Sequence, residues 1–250
     1  MADFEGFLAR LTPFDLRARR APSAAAYRAR YLRSLRPLAP AQAARVRAAF
    51  APARVDAALR RGGLALPRPW PPLRAAAHAD PDVEGGLPHS MSFDYREGSA
   101  PFSIISIISI ISIIEKRHVI ILPDSAFAAP AGEFAATLHH EYVHVLQRAF
   151  PRHFAAWYRR WGLAEVPLAA LPPALAARRR ANPDAMSLFA PVDSRKSTES
   201  TESTKFAGAP WINVYPARGP RALTDCERDP CWEHPHETVA YAIEDAFVRR

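Results

Sequence analysis

Cysteine and lysine are both scarce in this chain of 250 residues, which has 2 cysteines and 3 lysines against 30 arginines. The two cysteines, Cys226 and Cys231, permit one small loop disulfide but exclude the multi-disulfide framework of small secreted domains. No secretory signal is recognisable, because Asp3 and Glu5 stand where a basic segment should lie. The apolar run of 13 residues from Phe102 is shorter than the roughly 20 residues of a transmembrane helix. We therefore expect no transmembrane span and favour an intracellular setting, with organellar targeting left open.

Positive charge is concentrated in the first third of the chain. Residues 1–80 carry 15 arginines and 5 acidic residues, a net charge of +10, so the remainder must total −2 to give the overall +8. Prolines at positions 13, 22, 37 and 40 predict that this Ala- and Arg-rich region is divided into short helices. A basic surface can hold nucleic acid or anionic lipid, but no recognition motif supports a nucleic-acid partner. We interpret residues 1–80 as a solvated, basic helical lobe.

Two low-complexity segments interrupt the rest of the chain. Residues 103–114 read SIISIISIISII, and their period of three fits neither an amphipathic helix nor an alternating strand. Residues 194–205 contain the polar repeat STESTEST, a composition that is typical of a loop outside the core. We predict that both segments are insertions into a domain that spans residues 81–250.

The most informative segment is the pentad His140-Glu141-Tyr142-Val143-His144, an HExxH motif. Histidines four residues apart project from one face of a helix and can bind one metal ion together. Glu141 lies about 100° around the helix from His140, close enough to reach a water on the metal without crowding the ligands. Random order at this composition gives roughly 0.02 such motifs per chain, so chance is a poor explanation. The pentad predicts a hydrolytic zinc site.

Prolines on either side of the pentad predict the extent of its helix. Pro130 and Pro151 are tolerated at helix edges but not inside, so the helix should cover about residues 131–150. One broad arc of this helix is apolar, and both pentad histidines and the glutamate lie on the opposite side. We expect the apolar arc to pack into the core and the polar side to line a cleft.

A short strand is predicted upstream of this helix, over Arg117–Pro123. A strand, a short loop and an HExxH helix in this order are the common layout of zinc-dependent peptidases. The edge of such a strand can hold an extended substrate by adding it to the sheet. The strand is therefore interpreted either as a substrate-binding edge or as a strand of the core.

A catalytic zinc usually takes three protein ligands and leaves one position for water, so a third ligand must be found. The metzincin continuation is absent, because Gln147 and Phe150 occupy its glycine and histidine positions. A second helix is predicted to begin at Pro235. Glu237, Tyr241 and Glu244 share one of its faces. The residues alone leave Glu237, Glu244, and the neighbouring histidines 234 and 236 as candidate third ligands, or no third ligand at all.

These two elements resemble the gluzincin metallopeptidases, in which an HExxH helix is followed by a helix that carries a glutamate ligand. The resemblance rests on residues 140–147 and on Glu237-x-x-Ala240-Tyr241, and it covers mainly residues 118–161 and 232–247. It implies one zinc ion per chain with His140, His144 and Glu237 as metal ligands. It further implies that Glu141 is the general base. Tyr241, His234 and His236 are then candidate donors to the oxyanion, and Tyr241 is alternatively a group that orients Glu237. The gap of 93 residues between His144 and Glu237 departs from the family pattern.

The sequence as a whole predicts a helix-rich α+β protein, with a basic helical lobe at residues 1–80 and a zincin-like metallopeptidase domain at residues 81–250. The domain is expected to contain a small sheet and the HExxH helix. The predicted function is zinc-dependent hydrolysis of a peptide or protein substrate. Two alternatives stay open: a degenerate metal-binding protein that acts through its basic N-terminal surface, and a zinc hydrolase that is not a peptidase.

Overall fold

The computed structural model describes residues 4–93, 117–184, 187–191, 211–227 and 234–248. Both predicted insertions, at 103–114 and 194–205, lie outside these ranges, as does Cys231 of the possible disulfide. Over these described residues the protein is mixed α/β and helix-rich, with 52% helix and a small sheet. Each helix within the described ranges is too short or too polar to cross a membrane.

Short helices fill residues 4–61, as the prolines predict. They are α1 Phe4–Leu8, α2 Pro13–Ala18, α3 Ala24–Ser34, α4 Pro40–Ala49 and α5 Pro52–Arg61. Helices α2, α4 and α5 each carry a proline in the first turn, where a missing N–H removes no intrahelical bond. The start of α2 is further fixed by Thr12, whose hydroxyl accepts from the N–H of Asp15 while the Asp15 carboxylate accepts from the N–H of Thr12.

A four-stranded sheet follows, and the strand predicted at residues 117–123 lies in its interior. The strands are β1 Leu35–Arg36, β2 Ala75–His78, β3 His89–Phe93 and β4 Arg117–Pro123, in the order β1-β2-β4-β3. Strand β4 runs parallel to β2 and antiparallel to β3. Successive side chains of a strand point to opposite faces. Accordingly, Ile120 and Leu122 join one hydrophobic cluster while Val119 and Ile121 join another that includes residues of α1 and α3.

The remaining elements are the HExxH helix and those that follow it in the chain. They are α6 Ala131–Ala149, α7 Pro151–Arg160, β5 Leu163–Val166, α8 Pro173–Arg178, β6 Leu188–Pro191 and α9 Pro235–Val248. Strands β5 and β6 form a separate antiparallel pair. Isolated bridges join Trp211 to Phe189 and Val214 to Arg179.

Helix α6 carries the pentad and ends where the two flanking prolines predict. Its apolar side chains lie in the main hydrophobic cluster with Ile120 and Leu122 of β4 and with Val239 and Ile243 of α9. Because α9 packs along α6, its first turn is brought beside the middle of α6. The two helices that carry the predicted ligands are therefore held together by a shared core.

A buried ion-pair network links the N-terminal helices to the rest of the protein. The Arg19 guanidinium donates to Asp15 at 3.0 Å and to both carboxylate oxygens of Glu84 at 2.8 and 2.9 Å. It also donates to the carbonyl oxygen of Ala181, and the hydroxyl of Tyr27 donates to Glu84. Burial by itself would raise the pKa of Glu84, but the Arg19 charge outweighs burial and lowers it. The Arg19 cation and the Asp15 and Glu84 carboxylates thus offset one another's cost of burial.

We expect Arg19→Met to lower the free energy of unfolding by about 3–5 kcal/mol, because it leaves the Asp15 and Glu84 carboxylates buried without their cation. The control is Arg28→Met, which removes an arginine paired with Glu5 where both side chains are substantially exposed. That change should stay within about 0.5 kcal/mol. Urea unfolding followed by tryptophan fluorescence measures both values. Equal losses in the two variants would contradict a special role for the Arg19 network.

Candidate metal centre

Two buried histidines of α6 and one buried glutamate of α9 meet in the interior. The Oε2 atom of Glu237 lies 3.4 Å from Nε2 of His140 and 3.6 Å from Nε2 of His144. The three side chains can each offer a ligand atom, and these atoms all lie within 4.8 Å of one another. They form a group that could bind a metal ion, and we refer to it as the His-His-Glu cluster.

The spacing within the His-His-Glu cluster fits a shared cation better than direct hydrogen bonds. Charge-assisted N–H···O bonds are about 2.7–2.9 Å long, which is shorter than either separation to Glu237. Two atoms that bind one ion tetrahedrally, with bonds of about 2.1 Å, lie about 3.4 Å apart. In addition, Nε2 of His144 is buried and has no hydrogen-bond partner within the described ranges. A bound cation would satisfy this nitrogen, which is otherwise costly to bury.

The second nitrogen of each histidine is anchored, which turns both Nε2 atoms toward Glu237. Nδ1 of His140 lies 2.9 Å from a carboxylate oxygen of Glu244, and Nδ1 of His144 lies 2.7 Å from Oε1 of Gln147. The Gln147 amide is oriented in turn, because its nitrogen donates to the carbonyl oxygen of His236 at 3.0 Å. An amide oxygen only accepts, so Nδ1 of His144 donates. In the neutral ring, Nε2 then carries the lone pair that a metal needs.

The three side chains of the His-His-Glu cluster shift one another's pKa values. Burial by itself would lower the pKa of His140, but the Glu237 and Glu244 carboxylates raise it well above its ordinary value. Burial also opposes a charged His144, yet Glu237 raises the pKa of that imidazole. Burial would raise the pKa of Glu237, and the two imidazoles instead hold it well below its usual range. Glu237 is therefore ionised and stabilises positive charge at the position between the three side chains.

Glu141 lies beside this cluster rather than in it. It is buried, and its Oε2 atom has no hydrogen-bond partner in the described part of the chain. Its carboxylate, the Asp184 carboxylate and a nitrogen of His144 can all approach within 4.8 Å of one another. Burial, followed by the Asp184 charge, raises the pKa of Glu141 to about 8. A carboxylate in this setting is able to exchange a proton with a group in the adjoining cavity.

A cavity of about 300 Å³ adjoins the cluster. Its walls include His140, Glu141, Glu237 and Tyr241, so the polar side of α6 lines a cleft as predicted. The Tyr241 ring packs edge-on against His140, with 4.6 Å between ring centroids. Tyr241 is thus brought to the cavity wall next to a cluster histidine, within reach of the same space as Glu141.

The rival third ligands have other partners. Nε2 of His234 lies 2.9 Å from the carbonyl oxygen of Ser187, and its Nδ1 accepts from the N–H of His236. Burial lowers the pKa of His234 to about 3. Glu244 contacts the outer nitrogen of His140 and belongs to neither candidate metal group in the described residues. Of the candidates left open by the sequence, the structure brings Glu237 to the two pentad histidines.

Of the two roles left open for β4, the structure shows a core strand and not a substrate-binding edge, because β4 is paired on both sides, with β2 and β3. Among the strands of the described residues, the sheet edge on this side is β3. At Ser90 that edge is already bonded: the backbone N–H donates to Asp184 at 3.0 Å and the carbonyl oxygen accepts from Arg148 at 2.9 Å. Addition of an extended chain to β3 at Ser90 would therefore have to displace both side chains.

Two residues of the centre were not singled out by sequence reasoning. Gln147 lies three residues after His144, a spacing that places two side chains on one helix face, so it was detectable. Asn182, whose side-chain nitrogen donates to Oε1 of Glu237 at 2.8 Å, is 55 residues away from Glu237 and carries no local signal.

Comparison of the chain with protein-family models, with curated proteins and with solved structures gives no match.

Proposed function

We propose that this protein is a zinc-dependent hydrolase of gluzincin type that cleaves amide bonds in peptides or proteins. His140, His144 and Glu237 are the proposed zinc ligands and Glu141 the proposed general base. The observation that carries the proposal is the convergence of both imidazole Nε2 atoms on Oε2 of Glu237, at 3.4 and 3.6 Å. Together with Glu141 at the wall of the same cavity, this supports a catalytic rather than a purely structural metal site.

Zinc fits the proposed ligands by their chemistry. Two imidazoles and one carboxylate are a known ligand set of catalytic zinc, and three protein ligands leave a fourth position for water or substrate. Structural zinc sites usually have four protein ligands that include cysteine, and no cysteine belongs to the candidate metal groups of the described residues. The ligand set therefore favours hydrolysis over a structural role.

The chemistry follows from the side chains that face the cavity. Zinc bound there would lower the pKa of a water molecule to about 7 and polarise a carbonyl group as a Lewis acid. Glu141 accepts the proton of the attacking water and later delivers it to the leaving amine. Tyr241 is the proposed hydrogen-bond donor to the oxyanion, because its ring lies at the cavity wall next to His140.

The proposal is tested by incubating the full chain, loaded with zinc, with a library of unmodified peptides and detecting new termini by mass spectrometry. We expect cleavage that stops when 1,10-phenanthroline removes the metal and returns when zinc is restored. Cleavage that persists without metal would contradict the proposed mechanism. Zinc binding without cleavage of any peptide would instead favour the hydrolase that is not a peptidase or the degenerate metal-binding protein.

Loss of the outer support of His140 should weaken zinc binding. In Glu244→Ala, Nδ1 of His140 loses its carboxylate partner, and we expect the zinc dissociation constant to rise about 10–100-fold. The matched control is Glu133→Ala, which removes an exposed glutamate from the first turn of the same α6 helix and should leave zinc binding unchanged. Competition with a chromophoric chelator measures both constants. Equal zinc dissociation constants for Glu244→Ala and Glu133→Ala would show that Glu244 does not support zinc binding.

Zinc binding should release protons and weaken as the pH falls. The pKa values of His140 and His144 are raised in the metal-free protein, so both imidazoles stay protonated to higher pH than an ordinary histidine. Only the unprotonated nitrogen binds metal, and protons therefore compete with zinc over a pH interval that begins above the ordinary histidine pKa of about 6.5. Calorimetric titrations in buffers of different ionisation enthalpy measure the proton release. Affinity that stays constant over this interval would contradict the expected competition.

A further inference from the structure

The Asn182-Pro183-Asp184 turn contacts the proposed metal centre directly. We propose that Asn182 is a positioning residue that holds one oxygen of Glu237, so that this ligand binds metal through its other oxygen alone. This inference rests on the proposed function of the His-His-Glu cluster. Through this hydrogen bond, the turn would determine whether Glu237 supplies one or two ligand atoms to the metal.

The first support is the fixed orientation of the Asn182 amide. Its nitrogen donates to Oε1 of Glu237 at 2.8 Å, and its oxygen accepts from the backbone N–H of Asp184 at 2.9 Å. Both side chains are buried, with Asn182 7% and Glu237 6% exposed. Because each end of the amide has a partner, the donor is kept toward Glu237. Oε1 is thereby engaged, while Oε2 is the oxygen that faces the two imidazoles.

The second support is an arginine of the metal helix itself that fixes the turn. Arg148 follows His140 by eight residues and His144 by four, so all three lie on one side of α6. Its guanidinium donates to the carbonyl oxygen of Pro183 at 2.6 Å and to Asp184 at 3.1 Å. The same group donates to the carbonyl oxygen of Ser90 in β3. The helix that supplies two ligands thus also holds the turn that restrains the third.

The third support is the set of bonds that immobilises Asp184. Its Oδ1 atom accepts from the backbone N–H of Ser90 at 3.0 Å and from the Ser90 hydroxyl at 2.7 Å, in addition to Arg148. Asp184 is 9% exposed and Arg148 6% exposed. A buried turn held by several hydrogen bonds of this kind can keep Asn182 with little freedom. The restraint on Glu237 is therefore built on three separate elements: α6, β3 and the turn.

The expected consequence concerns the open coordination position. A carboxylate can bind a metal through one oxygen or through both, and a catalytic zinc needs one position for water. With Oε1 held by Asn182, the protein supplies two nitrogens and one oxygen. Without that hydrogen bond, Oε1 is available to the metal as a fourth protein ligand atom, which crowds the position of the water and raises the coordination number above four. Asn182 would then determine both metal affinity and whether the site stays open.

The test uses Co²⁺ in the full chain, because the visible absorption of Co²⁺ reports its coordination number. We compare the wild type with Asn182→Ala and Asn182→Asp. The aspartate keeps an acceptor for the N–H of Asp184 but offers Glu237 no amide donor, so it separates the restraint on Glu237 from the integrity of the turn. The control is Asn213→Ala, a buried asparagine whose side-chain oxygen accepts from the N–H of Val214.

We expect the intense absorption of four-coordinate Co²⁺ in the wild type and in Asn213→Ala. Both Asn182 variants should show the weaker bands of higher coordination and zinc dissociation constants about 10–100-fold above the wild-type value. Thermal melting of the metal-free variants tests whether they are folded. Wild-type spectra and zinc affinity in a folded Asn182→Asp would overturn the role of Asn182 while leaving the proposed function intact. A wild type that binds neither Co²⁺ nor Zn²⁺ would overturn both.

Discussion

Glu141→Gln should bind zinc as the wild type does and hydrolyse peptides at least about 100-fold more slowly. Glutamine keeps the size of the side chain but cannot accept a proton, and general acid–base groups contribute about 10²–10⁴-fold to the rate. Glu141 lies outside the His-His-Glu cluster, so metal retention is expected. The measurement pairs the peptide-cleavage rate with the zinc content of the same sample.

Glu133→Gln is the matched control for this experiment, since it makes the same chemical change at an exposed position of the same helix. It should leave both the rate and the zinc content unchanged. Cleavage by Glu141→Gln at a rate close to that of the wild type would remove Glu141 from the mechanism. Loss of zinc in Glu141→Gln would instead indicate that this carboxylate supports the metal site itself.

Glu237→Ala should bind zinc more than about 100-fold more weakly than the wild type, beyond the 10–100-fold expected for outer contacts. The change removes one of three proposed ligands and also the only carboxylate of the His-His-Glu cluster. Its negative charge favours a cation between His140 and His144, because the imidazoles hold the pKa of Glu237 well below its usual range. Chelator competition measures the dissociation constants of both proteins.

His234→Ala and His236→Ala are the comparison variants for Glu237→Ala. Both histidines lie next to Glu237 in the sequence, and His234 has backbone partners for both of its ring nitrogens. We expect either variant to keep zinc far better than Glu237→Ala. Unchanged affinity in Glu237→Ala, together with loss in one histidine variant, would show that the third ligand is misassigned.

Local sequence signals predicted the elements that carry the site. Pro130 and Pro151 limit α6 to Ala131–Ala149, and Pro235 begins α9, because proline acts on the helix turn in which it stands. The apolar run at Arg117–Pro123 likewise forms β4 over the predicted residues. Helical spacing along α9 also identified Glu237 as a candidate metal ligand, since helical periodicity fixes which residues share a face.

Features that depend on distant contacts could not be predicted in this way. The interior position of β4 follows from pairing with β2 and β3. The sequence of a single strand does not indicate which strands lie beside it. Strand β2, Ala75–His78, contains three alanines, a residue with weak strand preference, so sheet context decides its conformation. The hydrogen bond from Asn182 to Glu237 joins a turn to a helix 55 residues later. Only the folded chain brings them together.

The central claim is that His140, His144 and Glu237 hold a single zinc ion. Its most direct measurement is the zinc content of the full chain, loaded with Zn²⁺, passed through gel filtration to remove free metal, and analysed by mass spectrometry. We predict about one zinc per wild-type chain and almost none in His144→Ala. A wild type that retains no zinc, or a His144→Ala that retains as much as the wild type, would contradict the claim.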